Sequence, residues 1–326
     1  MKVAVVGCGA VGSFYGAKLC RAGHEVHFLL RSDYEVVRQR GVEIRSVDGD
    51  FCVRPVAARA PGEIGPADLV LIGLKTTAND QFPSLLPPLV GAHTGVLTLQ
   101  NGLGNEEQLA RLFSPDQILG GLCFVCLNRT APGVIEHLAH GLIVLGEYQR
   151  PAQPRTHAIA EHFRRAGVPC QVTDNLAQAH WEKLVWNIPF NGLGVASAAG
   201  HDALLDPQPE EIRRRPLGPC LTTDRLLADP RWERLVRELM HEVIAIAAAL
   251  GFSLSPDLAE KQIRRTREMG AYKASTLLDF ELGRPLELES LFLLPLREAR
   301  RAGVAAPRLS ALCAVLEALT QSAPTR

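Results

Sequence analysis

The run Gly7-Cys8-Gly9-Ala10-Val11-Gly12 sits between a short apolar segment and a helical one. In that setting the first glycine permits a tight turn, the second lets a pyrophosphate reach the backbone, and the third lets helix and strand approach. The exposed N–H groups and the helix dipole then face the phosphates. All six residues are candidate dinucleotide contacts. An acidic residue about 20 positions further on would accept a hydrogen bond from a ribose 2′-hydroxyl. The chain reads Phe28-Leu29-Leu30-Arg31-Ser32 there, so Arg31 is the candidate contact for a 2′-phosphate and NADP(H) the expected cofactor. Asp33, close by, keeps NAD open. Lys75, in Leu74-Lys75-Thr76, and Asn101, in Gln100-Asn101-Gly102-Leu103-Gly104, each follow a strand-like run. They therefore fall on the rim where doubly wound sheets bind ligands. A third group lies further on. Lys183, Asn187 and Asn191 are four apart and form one polar stripe on a helix, opposite Trp181, Leu184, Val185 and Ile188, with Pro189 as a source of a kink. Buried unpaired, such a stripe would be costly, so it must line a wet cleft or meet polar partners. A lysine ammonium in a cleft can stabilise and protonate a carbonyl oxygen as hydride reaches its carbon. Cys123 and Cys126 have the spacing of a metal or redox pair but lie in an apolar run without a second pair, and no metal site is expected.

The elements that must hold these residues follow from periodicity. Apolar strand-like runs occupy 2–6, 25–29, 69–74, 96–99 and 118–124, and a helix is expected over 11–22, stopped by Gly23. Strands with so little alternation suit a parallel sheet covered on both faces, and strand–helix–strand order makes right-handed βαβ units. Hairpins are expected around Asp48-Gly49 (42–45 with 51–56) and around His140-Gly141 (134–137 with 142–146). From about residue 174 the pattern is helical. Trp232, Leu235, Val236, Leu239, Met240, Val243, Ile244 and Ala247 repeat at three and four, and further helices are expected over 271–282, 290–302 and 307–319. The fold class is thus α/β: a Rossmann-type, doubly wound, mostly parallel sheet domain over 1–173, which would bind NADP, followed by an all-helical domain over 174–326. The stretch 201–220, rich in proline and arginine, reads as an inserted surface loop.

Composition agrees with two globular domains. The chain has 326 residues, 47% hydrophobic and 21% charged, with 35 basic against 35 acidic side chains. That balance argues against disorder and offers no electrostatic case for nucleic acid or an anionic membrane as partner. No run of 18 apolar residues occurs, and the first residues lack the pattern of a signal peptide, so a cytoplasmic location is expected. The eight cysteines read as mostly buried thiols in a reducing compartment.

Taken together these residues resemble the ketopantoate reductase (2-dehydropantoate 2-reductase) family over nearly the whole chain. The family's glycine motif matches Gly7, Gly9 and Gly12, its cofactor-contacting Arg and Lys match Arg31 and Lys75, and its Asn-Gly loop matches Asn101. Its catalytic Lys and two following Asn match Lys183, Asn187 and Asn191, and its substrate-binding Ser and Glu match Ser275 and Glu287. The resemblance implies NADPH-dependent reduction of 2-dehydropantoate to (R)-pantoate, in pantothenate and coenzyme A biosynthesis. It implies Lys183 as general acid, Asn187 and Asn191 orienting lysine and keto acid, Ser275 holding the carboxylate and Glu287 accepting from the hydroxyl. Asn101 would contact cofactor and substrate, the charged residues would converge on one cleft between the domains, and the helical domain would carry substrate binding and a homodimer contact. Another branched 2-oxo acid, or a non-catalytic NADP-binding regulatory role, stays open; a pure binder has no need of Lys183 as proton donor.

Overall fold

Val3, Ala4, Val5 and Val6 are all buried because their strand serves two cores at once. Val3 and Val5 join Leu69, Leu71, Leu97, Leu99 and Leu119 on one face, against Phe14, Tyr15 and Leu19 of the helix Ala10–Arg21. Ala4 and Val6 join Val70, Ile72, Val96 and Ile118 on the other, against Phe82, Leu86, Leu89 and Leu109. Alternate residues of one strand point to opposite faces, so an unbroken aliphatic run is what a sheet covered on both sides requires.

The computed structural model describes residues 1–322, and the chain divides after Ala179 into two compact units. The strands are β1 (Lys2–Val6), β2 (Glu25–Leu29), β3 (Val42–Ser46), β4 (Phe51–Val53), β5 (Val56–Ala58), β6 (Ala67–Ile72), β7 (Val90–Thr98), β8 (Ile118–Ala131), β9 (Val134–Glu147) and β10 (Cys170–Val172). They form one sheet in the order β4-β3-β9-β8-β7-β6-β1-β2-β5, with β10 also paired to β9. Pairings are parallel except β3 with β4 and β8 with β9. The first unit is thus a Rossmann-type, mostly parallel α/β layer. It curls: the helix Ala10–Arg21 touches β1, β2, β3, β4, β6, β8 and β9.

Two expectations about the sheet change. The hairpin expected around His140-Gly141 is one continuous strand, β9, antiparallel to β8 along its whole length. The turn signal marks an irregularity instead: His140 has φ 67° and Gly141 φ 134°, where the β8–β9 register shifts. Pairing with a long neighbouring strand outweighs the local preference for a turn. The hairpin at Asp48-Gly49 forms, but its second arm ends at Val53 and the next residues make β5, which joins β2 on the far edge of the sheet.

The helical unit is built from Thr223–Ala228, Pro230–Ala249, Leu258–Arg267, Ser275–Glu281, Leu294–Arg301 and Pro307–Ser322, together with most of the long helix Leu176–Ala196. Asp229 caps Pro230–Ala249 by accepting from the Arg231 N–H at 2.9 Å, with Pro230 in the first turn. The 201–220 stretch is not an open loop. It holds a 3₁₀ turn, His201–Leu204, and a helix, Pro209–Arg214, whose buried Ile212 and the Arg213–Gln321 hydrogen bond (2.7 Å) seat it on the Pro307–Ser322 helix. No helix among the described residues is long and apolar enough to cross a membrane.

Candidate functional site

Backbone crowding dictates the glycine loop. Gly7 has φ +93°, and a Cβ there would lie 2.2 Å from the Leu74 amide nitrogen. A Cβ on Gly12 would lie 2.3 Å from the Gly7 carbonyl oxygen, and Gly73 closes the same three-way contact from the end of β6. Gly9 differs: nothing lies within 4 Å of where its Cβ would point, so this face of the loop is open to a ligand. Gly9 also caps the Ala10–Arg21 helix without a side-chain bond, and no acidic residue sits in its first turn. The N–H groups of that turn, from Ala10 and Val11 onward, are thus left for an anion. Cys8 turns inward, its thiol donating to the carbonyls of Val5 and Leu29 at 3.5 Å, while Ser13 donates to the Cys8 carbonyl at 3.0 Å. Burial, with Asp33 nearby, pushes the Cys8 pKa well above the ordinary thiol value.

The end of β2 separates the two residues that bear on cofactor choice. Arg31 is exposed, and among the described residues its guanidinium has no hydrogen bond or ion pair. Asp33 is buried and its carboxylate is occupied by protein donors. Arg129 donates through Nε (3.1 Å) and Nη2 (2.5 Å), the Gly133 N–H at 3.1 Å, and the Ser32 hydroxyl at 2.9 Å. Burial alone would raise the Asp33 pKa, but the hydrogen bonds from Arg129, Ser32 and Gly133 outweigh it and hold the carboxyl below its ordinary value. A carboxylate with about four acceptor positions, all engaged, has none left for a ribose hydroxyl. Arg31 is the group on offer, and a 2′-phosphate is what it suits.

Lys75 is exposed just beyond β6 and precedes the 3₁₀ turn Thr76–Gln81, and Asn101 is half-buried just beyond β7. Beneath these two loops lies a run of buried amides that the sequence did not announce. Asn79 Nδ2 donates to Asn105 Oδ1 (3.0 Å), Gln100 Nε2 to Asn79 Oδ1 (2.7 Å), and Asn105 Nδ2 to the Asn101 carbonyl (3.2 Å). Gln100 and Asn105 flank the Asn-Gly motif and Asn79 is four residues past Lys75, so polar residues around rim motifs were the available signal.

In the helical unit, Lys183, Asn187 and Asn191 lie on the Leu176–Ala196 helix and all three are buried. Asn191 and Ser275 are brought together. Asn191 Oδ1 accepts from the Ser275 hydroxyl (3.3 Å) and the Thr276 N–H (3.1 Å), so it caps the Ser275–Glu281 helix from outside and leaves its amide N–H₂ as the donor. Asn187 is 5% exposed, yet its carboxamide has no hydrogen-bond partner among the described residues. A buried amide without a protein partner marks a place for water or ligand. The stripe begins one residue type earlier than the sequence reading had it: His180 is buried too, three positions before Lys183 on the same face. Trp181, Leu184, Val185 and Ile188 are buried as expected of the apolar side, while Trp186 lies against Phe190 and donates to the Thr266 hydroxyl at 2.9 Å. Glu287 is buried two residues before a π-helical turn, Glu289–Leu293, a distortion that often accompanies functional positions.

The comparisons with known proteins agree with both halves. Residues 3–150 match the family model described as Ketopantoate reductase PanE/ApbA, and residues 219–320 match its C-terminal partner, Ketopantoate reductase PanE/ApbA C terminal. The 2-dehydropantoate 2-reductase of Nostoc sp. is 39% identical over 317 residues, covering 95% of this chain and 92% of the relative. The chain belongs to the ketopantoate reductase family. Solved structures of ketopantoate reductases carry the same fold. The 2-dehydropantoate 2-reductase from Geobacter metallireducens aligns with TM-score 0.88 at 45% identity, covering 97% of this chain and 99% of its own. The one from Methylococcus capsulatus aligns with TM-score 0.87 at 35% identity, covering 100% and 99%. Ketopantoate reductases are oxidoreductases, and this chain is one; the family's cofactor is NADPH.

Proposed function

We propose that the chain reduces 2-dehydropantoate to (R)-pantoate with NADPH, in the pathway to pantothenate and coenzyme A, as a cytoplasmic homodimer. The observation that carries this reading is the polar stripe Lys183, Asn187 and Asn191: three buried groups on one helix face, one of them without a protein partner and one bonded to Ser275. Gly7, Cys8, Gly9, Ala10, Val11 and Gly12 cradle the dinucleotide phosphates, Arg31 and Lys75 meet its 2′-phosphate end, and Asn101 contacts it near the reacting ring. When bound, NADPH supplies the hydride that adds to C2 of the keto acid. Lys183 then gives its ammonium proton to the C2 oxygen, so the carbonyl becomes a hydroxyl and the lysine is re-protonated from solvent. Asn187 and the Asn191 amide orient the lysine and the keto acid, Ser275 holds the carboxylate, and Glu287 accepts from the hydroxyl. The sheet domain, to about residue 173, binds cofactor; the helical remainder binds substrate and carries the dimer contact.

A panel of 2-oxo acids, each assayed with NADPH and with NADH by loss of absorbance, tests the reading. Saturable reduction of 2-dehydropantoate with NADPH, faster than of other branched 2-oxo acids, is expected. Turnover only of a different 2-oxo acid would overturn the substrate, and cofactor binding without turnover of any would overturn the reaction.

A further inference from the structure

We infer that the buried side chains of Asn79, Gln100 and Asn105 are positioning residues: one hydrogen-bond chain, running in a single direction, that sets the Asn101 loop and the turn after Lys75 as one piece. The inference deepens the function proposed above, since it concerns the loops assigned there to the dinucleotide.

The chain begins at Thr98, whose hydroxyl donates to Gln100 Oε1 at 2.9 Å, and passes through Gln100 Nε2 to Asn79 Oδ1, Asn79 Nδ2 to Asn105 Oδ1, and Asn105 Nδ2 to the Asn101 carbonyl. All four side chains are buried, Asn105 completely. The far end fixes the direction. A backbone carbonyl only accepts, so Asn105 must offer it N–H₂ and turn its own oxygen to Asn79. Asn79 must then offer N–H₂ and turn its oxygen to Gln100, whose own oxygen takes the freely rotating Thr98 hydroxyl. Each amide is polarised by the one before it, and any reversal leaves two oxygens facing each other without water to part them. The links tie the 3₁₀ turn Thr76–Gln81 behind Lys75 to one continuous stretch, 21 to 26 residues further on, that runs from the end of β7 through the Asn101 loop into the helix Asn105–Ala110. Gly102 and Gly104 in that loop are in left-handed geometry, φ +83° and +87°, which glycine adopts without strain. The amide chain anchors the Asn101 carbonyl.

The test is Asn79→Asp, nearly the same shape but unable to donate when ionised. Asn105 can satisfy the carboxylate only by turning its N–H₂ toward it, which brings its oxygen against the Asn101 carbonyl. Protonation of this buried carboxyl, whose pKa burial would raise, restores a donor and with it the original direction. Hydrogen exchange on the cofactor-free protein should rise about tenfold at pH 7.5 over both 76–81 and 101–104, and NADPH, titrated by fluorescence, should bind about tenfold more weakly, the size expected of one lost hydrogen bond. Both effects should shrink to within about threefold of wild type near pH 5. Exchange that rises only around residue 79, or a variant equally impaired at both pH values, would overturn the inference. Gln100→Glu, which confronts Asn79 Oδ1 in the same way, carries the same expectation and serves if Asn79→Asp does not fold. If the wild type binds no NADPH, the proposed function fails, while exchange in the cofactor-free protein still decides the coupling.

Discussion

Replacing Arg31 with alanine separates the two readings of the β2 terminus. The guanidinium is exposed and has no protein partner among the described residues, so its loss leaves no buried charge behind and should not disturb the fold. Hydrogen bonds to charged groups contribute about 1.5–3 kcal/mol, and an exposed contact falls at the low end through solvent screening. With about 1.4 kcal/mol per tenfold, NADPH should bind some 10- to 30-fold more weakly. NADH, lacking the 2′-phosphate, should change by less than about twofold. It should not tighten either, because the Asp33 carboxylate is held by Arg129, Gly133 and Ser32 and cannot swing out to a ribose hydroxyl. Fluorescence titration of both nucleotides at two salt concentrations measures this, and the NADPH advantage of the wild type should narrow at high salt. Equal weakening of both cofactors would remove Arg31 from the phosphate. A variant that gained NADH affinity would show Asp33 to be available, against the geometry.

Other outcomes follow from the same groups. Lys183→Ala should lower kcat about 10²- to 10⁴-fold with NADPH binding largely kept; near-native turnover would take the lysine out of the chemistry. The Asp33–Arg129 pair should make the first unit acid-sensitive. The folded pKa of Asp33 is below its unfolded value, so its stabilisation is complete above the unfolded pKa and disappears as pH falls through the folded one. Urea midpoints of wild type and Asp33→Asn should therefore differ at pH 7 and converge as pH drops below about 3.9, the ordinary Asp value; a gap independent of pH would refute the assignment. Cys8 should resist alkylation at pH 7.5 in the folded protein, and rapid labelling there, mapped by mass spectrometry, would contradict an inward-turned, protonated thiol.

The sheet was largely legible because its strands carry unmixed aliphatic runs: β1 and β2 have the bounds expected of them, and the 307–319 helix begins at Pro307 as expected. What failed was local turn chemistry overruled from a distance. His140-Gly141 reads as a turn in isolation, but β8 pairs along the strand on both sides of it. The 201–220 stretch reads as a loop because prolines and charges dominate, while one apolar residue, Ile212, seats it on the last helix. At the site, glycine spacing and the four-residue stripe were readable as periodicity. The amides under the rim and the donors around Asp33 were not, because no sequence spacing announces that residues 26, 96 or 100 positions apart will meet.

The grip on Asp33 also sets an order of events during synthesis. Arg129 lies 96 residues beyond it, and β3 waits for a partner, β9, more than 80 residues downstream. At about 5–20 residues per second, the β2 terminus with Arg31 emerges roughly 5–20 s before the strands that fasten it. Through that interval the glycine loop and its βαβ unit have their local contacts but an unfinished wall, and long-range parallel pairing is slow to form. The nascent chain thus acquires its phosphate cradle early and the means to tell one nucleotide from another late.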